Sequence, residues 1–168
     1  MNRYSQVVVI GSSDDNSYAN EAYQIGKYIA SKGWVLISGG RGGIMEAVSK
    51  GAREEGGIVI GIIPESDHES ANKYCNIVIP TGIGYARNMI NVLSGDAIIS
   101  IGGKSGTLSE LAYGWQFTKP IILCAFTGGW SERLSLTTSI DNRKRDLFHI
   151  AKNLSDVYMH LDNVLNKK

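Results

Sequence analysis

Ile99-Ser-Ile-Gly102-Gly103-Lys104-Ser105-Gly106-Thr107-Leu108-Ser109-Glu110 begins as an apolar strand, breaks at a glycine-rich turn and continues as a helix carrying a carboxylate. Glycines at a strand-to-helix turn let backbone N–H groups approach an anion with no Cβ in the way, and the helix N-terminus adds partial positive charge. The stretch therefore reads as a phosphate cradle formed by Gly102, Gly103, Lys104, Ser105, Gly106 and Thr107, with Glu110 as a candidate catalytic acid beside it. A second cluster, Ser38-Gly39-Gly40-Arg41-Gly42-Gly43 before Ile44-Met45-Glu46-Ala47, follows an earlier strand in the same way. Two such loops at strand C-terminal ends imply one nucleotide-sized crevice.

Outward from these loops, short β-branched runs alternate with helical patterns along the whole chain. Strands are expected at Val7 to Ile10, Val35 to Ser38, Val59 to Ile63, Ile77 to Ile79, Ala97 to Ile101, Ile121 to Ala125 and Leu147 to Ile150. They read as continuous apolar runs, as strands buried on both faces do. Helices are expected at about Ser17 to Ser31, Ile44 to Glu55, Tyr85 to Leu93, Thr107 to Phe117 and Leu154 to Asn166, the last capped by Asn153. The pattern predicts an α/β fold, a Rossmann-like, doubly wound and mainly parallel sheet of about seven strands with helices on both faces. The stretches at Pro64 to Tyr74 and Thr127 to Arg145 read as irregular and placed to rim a site or a subunit contact. No repeat or linker divides the chain, so residues 1–168 are expected to form a single nucleotide-binding domain.

The chain has 168 residues, 17 of them basic and 16 acidic, for a net charge of +1. At this length roughly 70% of the unfolded surface can be buried, enough for a core without staples. The charge balance gives no electrostatic footprint for nucleic acid or an anionic membrane, which leaves a small ligand as the expected partner. Cys75 and Cys124, in apolar strand-like runs and outside any C-x-x-C pair, read as reduced core residues. His68, His149 and His160 lack metal-ligand spacing, so no metal site is expected. The N-terminus shows no charged segment followed by a long apolar one, and no run approaches the ~20 apolar residues of a spanning helix. A cytoplasmic location is the expectation.

Several motifs are excluded by their spacing. Gly103-Lys104-Ser105 resembles the end of a P-loop, but Ile98 stands where that motif needs its first glycine. Gly11-Ser12-Ser13-Asp14 after the first strand does not supply G-x-G-x-x-G, which argues against a conventional NAD site, although Gly11 and Ser12 remain candidate ligand contacts. Nothing near Lys104 suggests a pyridoxal phosphate pocket. Thr107-Leu-Ser-Glu110 also matches a capping box, a purely structural role for Glu110. Arg87 opens the helix before the Gly102 strand and is placed to pair with a phosphate; its other reading is a helix-surface arginine. Arg41 is placed to neutralise a ligand anion and Glu46 to accept from ribose hydroxyls.

Taken together, Gly39-Gly40-Arg41-Gly42-Gly43-Ile44-Met45-Glu46, Arg87 and Gly102 to Glu110 resemble the LOG-like Rossmann family, formerly labelled lysine decarboxylases. Ser100-Ile-Gly-Gly103, Gly106-Thr107 and Thr127-Gly-Gly-Trp130 are most similar to its molybdenum-cofactor carrier branch. The resemblance implies hydrolysis of the N-glycosidic bond of a nucleoside 5′-monophosphate, with Arg87 and Glu110 as the catalytic pair and phosphate held by Gly106 and Thr107. It implies no required cofactor and no lysine decarboxylation. The alternative it carries is a non-catalytic carrier or sensor of molybdenum cofactor, and in either case a homodimer or homotetramer. The chain departs from the enzymes' P-G-G-x-G-T-x-x-E motif at Gly102, in place of proline, and at Lys104, in place of glycine. Asn88 follows Arg87 where the enzymes carry lysine.

Overall fold

The computed structural model describes residues 3–137, 139–143 and 146–166. Among these residues, seven strands form one parallel sheet in the order β4-β3-β2-β1-β5-β6-β7. They are β1 (Gln6–Gly11), β2 (Val35–Ser38), β3 (Val59–Ile63), β4 (Ile77–Pro80), β5 (Ala97–Ile101), β6 (Ile121–Cys124) and β7 (Phe148–Ala151). The helices are α1 (Ala19–Ser31), α2 (Ile44–Glu54), α3 (Arg87–Leu93), α4 (Ser105–Gln116), α5 (Gly129–Ser135) and α6 (Leu154–Leu165).

Strand alternation divides the core between the two faces. Val7 and Val9 of β1 join one cluster with Ile25 and Ile29 of α1, Val48 of α2 and Leu161 of α6. Val8 and Ile10, pointing the other way, join a second with Val92 of α3, Leu111 of α4 and Leu134 of α5. Both faces of the central strands are thus covered, which is why they carry no polar alternation and why the fold is Rossmann-like and doubly wound. At the start of α6, Asn153 Oδ1 accepts from the Asp156 amide at 3.0 Å and Asp156 Oδ2 accepts from the Lys152 amide at 2.8 Å, a reciprocal cap.

Three expectations are corrected. The edge strand β4 is half-buried on one face, at Val78 and Pro80, and exposed on the other, at Ile77 and Ile79, so it is not covered on both faces as the central strands are. Cys75 lies in the turn before β4 and is half-buried, whereas Cys124 is buried in β6; both are free thiols whose titration burial pushes up. The stretch from Thr127 is not irregular throughout. A single 3-10 turn over Ala125–Thr127 leads into α5, with Gly128 and Gly129 making the sharp entry at positive φ. Thr138, Lys144 and Arg145 of that stretch lie outside the described residues.

Candidate functional site

The chain order reverses between β1 and β5, the neighbours at the centre of the sheet. Diverging connections at such a switch point leave a gap above the strands' C-terminal ends. A crevice of about 340 Å3 occupies it, bounded by the loops after β1, β2 and β5 and by α3 and α4.

One end of the crevice is the start of α4. Lys104 is extended, and the first main-chain bond of the helix runs from the Leu108 amide to Lys104 O at 3.0 Å. The amides of Ser105, Gly106 and Thr107 therefore have no carbonyl one turn back, and they open on the crevice together with the helix dipole. At Gly106 an added Cβ would meet nothing within 4 Å, which is open space at the helix tip. Gly102 and Gly103, both at positive φ, turn the chain from β5 toward this tip but do not themselves line the crevice. They are held from behind. The Gly102 amide donates to Thr127 Oγ1 at 2.7 Å, and the amides of Trp130 and Ser131 donate to Gly103 O and Gly102 O at 3.2 and 3.0 Å. The Thr127-Gly-Gly-Trp130 segment thus braces the cradle instead of rimming it, because the free amides opening α5 are used on those two carbonyls.

The floor brings α3 and α4 together. Arg87, Asn88 and Asn91 on α3 and Glu110 on α4 are all buried and all line the crevice. Arg87 Nη1 is 3.8 Å from Glu110 Oε1, which also accepts from Asn91 Nδ2 at 2.9 Å. Asn88 Nδ2 donates to Ser109 Oγ at 2.8 Å. Burial pushes the Glu110 carboxyl up to about 7, against the opposing pull of the Asn91 hydrogen bond and the Arg87 charge. Burial draws the Arg87 guanidinium down, while Glu110 and Glu65 hold it up. The guanidinium lies across Gly39, where an added Cβ would stand 2.4 Å from Nη1. The first glycine of the second cluster is there to make room for Arg87.

At the mouth the charges are paired. Lys104 Nζ donates to Asp14 Oδ2 at 2.8 Å, and Ser12 Oγ donates to Asp14 Oδ1 at 2.5 Å. The Lys104 bond, then the Ser12 bond, bring the Asp14 carboxyl down to about 2. Arg41 pairs with Glu65, from the 64–74 stretch, and that stretch is tied down where the Asn72 amide donates to Gly40 O at 2.8 Å. Pro64 reaches the crevice, as does Tyr85, which is 88% exposed.

Of the residues singled out from the sequence, Gly11, Ser12, Gly39, Arg41, Arg87, Lys104, Ser105, Gly106, Thr107 and Glu110 converge on this one crevice. Gly40, Gly42, Gly43, Gly102 and Gly103 shape the loops without lining it. Glu46 is corrected: it is half-buried on α2 and does not line the crevice, since one residue of helical rotation gives that position to Met45. The capping box is also overturned. The helix starts at Ser105, so Thr107 lies inside its first turn, and Glu110 turns to α3 instead of to a cap amide. Arg87 is 8% exposed, which removes the surface reading. Asn91, Asp14 and Tyr85 were not anticipated. Asn91 had a signal, its place four residues after Arg87 on the same helix face. Among the described residues no group of three or more His, Cys, Asp or Glu could hold a metal ion, and no helix is long and apolar enough to cross a membrane.

Comparison with known proteins agrees with this architecture. The model of the SLOG cluster4 family matches residues 4–157. The molybdenum cofactor binding protein from Rippkaea orientalis has a solved structure 34% identical to this chain, with a TM-score of 0.87, covering 98% of this chain and 99% of its own. The molybdenum cofactor carrier protein of Chlamydomonas reinhardtii is 32% identical with a TM-score of 0.85, at the same 98% and 99% coverage. A cytokinin riboside 5′-monophosphate phosphoribohydrolase of Mycobacterium tuberculosis is 34% identical over 111 residues, 61% of this chain. The match spans 59% of the length of that enzyme.

Proposed function

The chain belongs to the SLOG cluster4 family, and from that premise we propose that residues 1–168 form one domain that binds a nucleoside 5′-monophosphate and hydrolyses its N-glycosidic bond. The phosphate is held by the amides of Ser105, Gly106 and Thr107, with Gly11 and Ser12 across from them and Lys104 at the mouth. The ribose lies toward Glu110. The observation that carries this reading is a buried Arg87–Glu110 pair, 3.8 Å apart, on the floor of a crevice whose other end is the open tip of α4. Ionised Glu110 accepts a proton from a water molecule that adds to C1′ as the C1′–N bond breaks. The bonding electrons leave with the base, which takes a proton from solvent, and ribose 5-phosphate remains. Arg87 orients the ligand and faces the charge that moves. On the same reading no cofactor is required, and the protein acts in the cytoplasm as a homodimer or homotetramer.

A second reading has its own support. The solved structures named for molybdenum cofactor match this chain almost from end to end, whereas the named hydrolase matches 61% of it. In that case the crevice carries the phosphate and pterin of the cofactor as cargo. Chromatography of free base released from a panel of nucleoside 5′-monophosphates, with wild type and Glu110→Gln in parallel, separates the two. We expect base from wild type alone. No release from any nucleotide, with saturable retention of molybdenum cofactor, would replace the enzyme by the carrier.

A further inference from the structure

Asn91 is 1% exposed, one turn after Arg87 on α3, and it lines the crevice. Its Nδ2 donates to Glu110 Oε1 at 2.9 Å. That bond fixes the amide: the end that carries N–H faces the carboxylate, so Oδ1 must face elsewhere. Among the described residues Oδ1 is buried with no hydrogen-bond partner, and so is Nε of the neighbouring Arg87. Buried polar atoms are nearly always paired, and one left unpaired bears the full desolvation of the group. Here one orphan is an acceptor and the other a donor, on adjacent turns of one helix, in the wall of one crevice. A hydroxyl group can answer either need, since it donates one hydrogen and accepts on its oxygen.

Spacing along α4 agrees. Glu110, the partner of Asn91, follows the open amides of Ser105 to Thr107 by three to five residues, or about 5–8 Å of helix rise. A pentose 5-phosphate spans about that length between its phosphorus and its ring hydroxyls. We propose that Asn91 is the specificity-determining residue of this crevice, its Oδ1 accepting a hydrogen bond from a sugar hydroxyl of the phosphorylated ligand while its Nδ2 positions Glu110. This rests on the reading of the α4 tip as a phosphate site. Asn91 thereby takes the role that the sequence assigned to Glu46, and it ties choice of ligand to the placement of the candidate catalytic carboxylate.

The test uses the full chain and titration calorimetry with three probes. They are inorganic phosphate, carbocyclic adenosine 5′-monophosphate, which has no N-glycosidic bond to hydrolyse, and the 2′,3′-dideoxy form of that carbocycle. Wild type is expected to bind the hydroxylated probe at least tenfold more tightly than the dideoxy one, because a site built to hydrogen-bond a hydroxyl rejects its absence. In Asn91→Leu, of similar volume, the ratio is expected to fall below threefold while phosphate affinity stays within twofold of wild type. Positioning is read separately by carbon NMR titration of the Glu110 carboxyl, whose midpoint should rise in Asn91→Leu because a bond that stabilises the ionised form is gone. An unmoved midpoint would reduce Asn91 to packing and overturn the positioning role. A wild-type ratio within twofold overturns the hydroxyl site with no variant needed, and so does a ratio kept at tenfold in Asn91→Leu or in the smaller Asn91→Ala. If wild type binds neither phosphate nor either nucleotide, the phosphate reading itself falls and takes this one with it; equal binding of both nucleotides overturns the hydroxyl site alone.

Discussion

At Glu110, stability and the proposed hydrolysis pull in opposite directions. Its carboxyl titrates near 7 when folded against an ordinary value of 4.5, because burial disfavours the charge more than Asn91 and Arg87 together favour it. Between those two values the unfolded chain has lost a proton that the folded chain keeps, so stability falls as pH rises through the window and is level above it. At 1.36 kcal/mol per unit the loss is about 3 kcal/mol. Glu110→Gln carries no such charge. Its stability relative to wild type is therefore expected to rise by about that amount between pH 4.5 and pH 8, as read from urea midpoints, since other titrations cancel in the difference. The hydrolysis proposed for ionised Glu110 is expected to move the other way, with kcat/KM rising through about pH 7. A stability difference flat with pH would mean that Glu110 is solvated and unperturbed, which its burial contradicts. The sequence made Glu110 and Arg87 visible because each stands at a fixed offset in a recognisable motif. Asn91 is as deeply buried, but an asparagine within a short apolar helix carries no motif, and only the facing carboxylate on α4 gives it meaning.

Among the elements, the strands were the most legible. β2, β3 and β5 match their expected limits to the residue because a β-branched run buried on both faces has sharp ends. Helix α5 was missed for the opposite reason: seven residues opening on two glycines are too short to show a helical period, and what holds them is tertiary, the carbonyls of Gly102 and Gly103. The contact between α1 and α2 was equally hidden. Gly26 and Gly51 look like weak points within helices, yet a Cβ at Gly51 would lie 2.0 Å from Tyr23 O, and one at Gly26 would lie 2.1 Å from Val48 O. The two backbones touch there, so neither glycine can gain a methyl group without parting the helices. Alanine would add up to about 1 kcal/mol of helix propensity, but overpacking against rigid backbone costs about 1–3 kcal/mol or more. Gly51→Ala is expected to lower stability by about 2 kcal/mol, as measured by denaturant unfolding, with the crevice residues untouched. A higher unfolding midpoint would show that the helices separate freely.

For the molecule as a whole, the reversal of strand order places the crevice, and the sequence pattern foretold the layers on either side. It could not tell which loops meet. Asp14 and Lys104 are 90 positions apart and touch only because β1 and β5 are neighbours, and Gly39 reaches Arg87 only because the loop after β2 folds over α3. Loops drawn from across the sheet make the crevice a property of the folded state alone, which gives ligand binding a direct stability readout. A ligand that binds only the native chain adds about 2.7 kcal/mol at one hundred times its Kd. For a domain of this size each kcal/mol raises Tm by about 2–4 °C, so carbocyclic adenosine 5′-monophosphate at that concentration is expected to raise the wild-type Tm by about 5–10 °C. In Gly39→Ala the new methyl group occupies the place of the Arg87 guanidinium, and the same probe concentration should shift Tm by less than about 2 °C. Equal shifts in the two proteins would show that Arg87 does not touch the ligand. No shift in wild type, even at saturating probe, would mean that the meeting of these loops serves the fold and not a nucleotide.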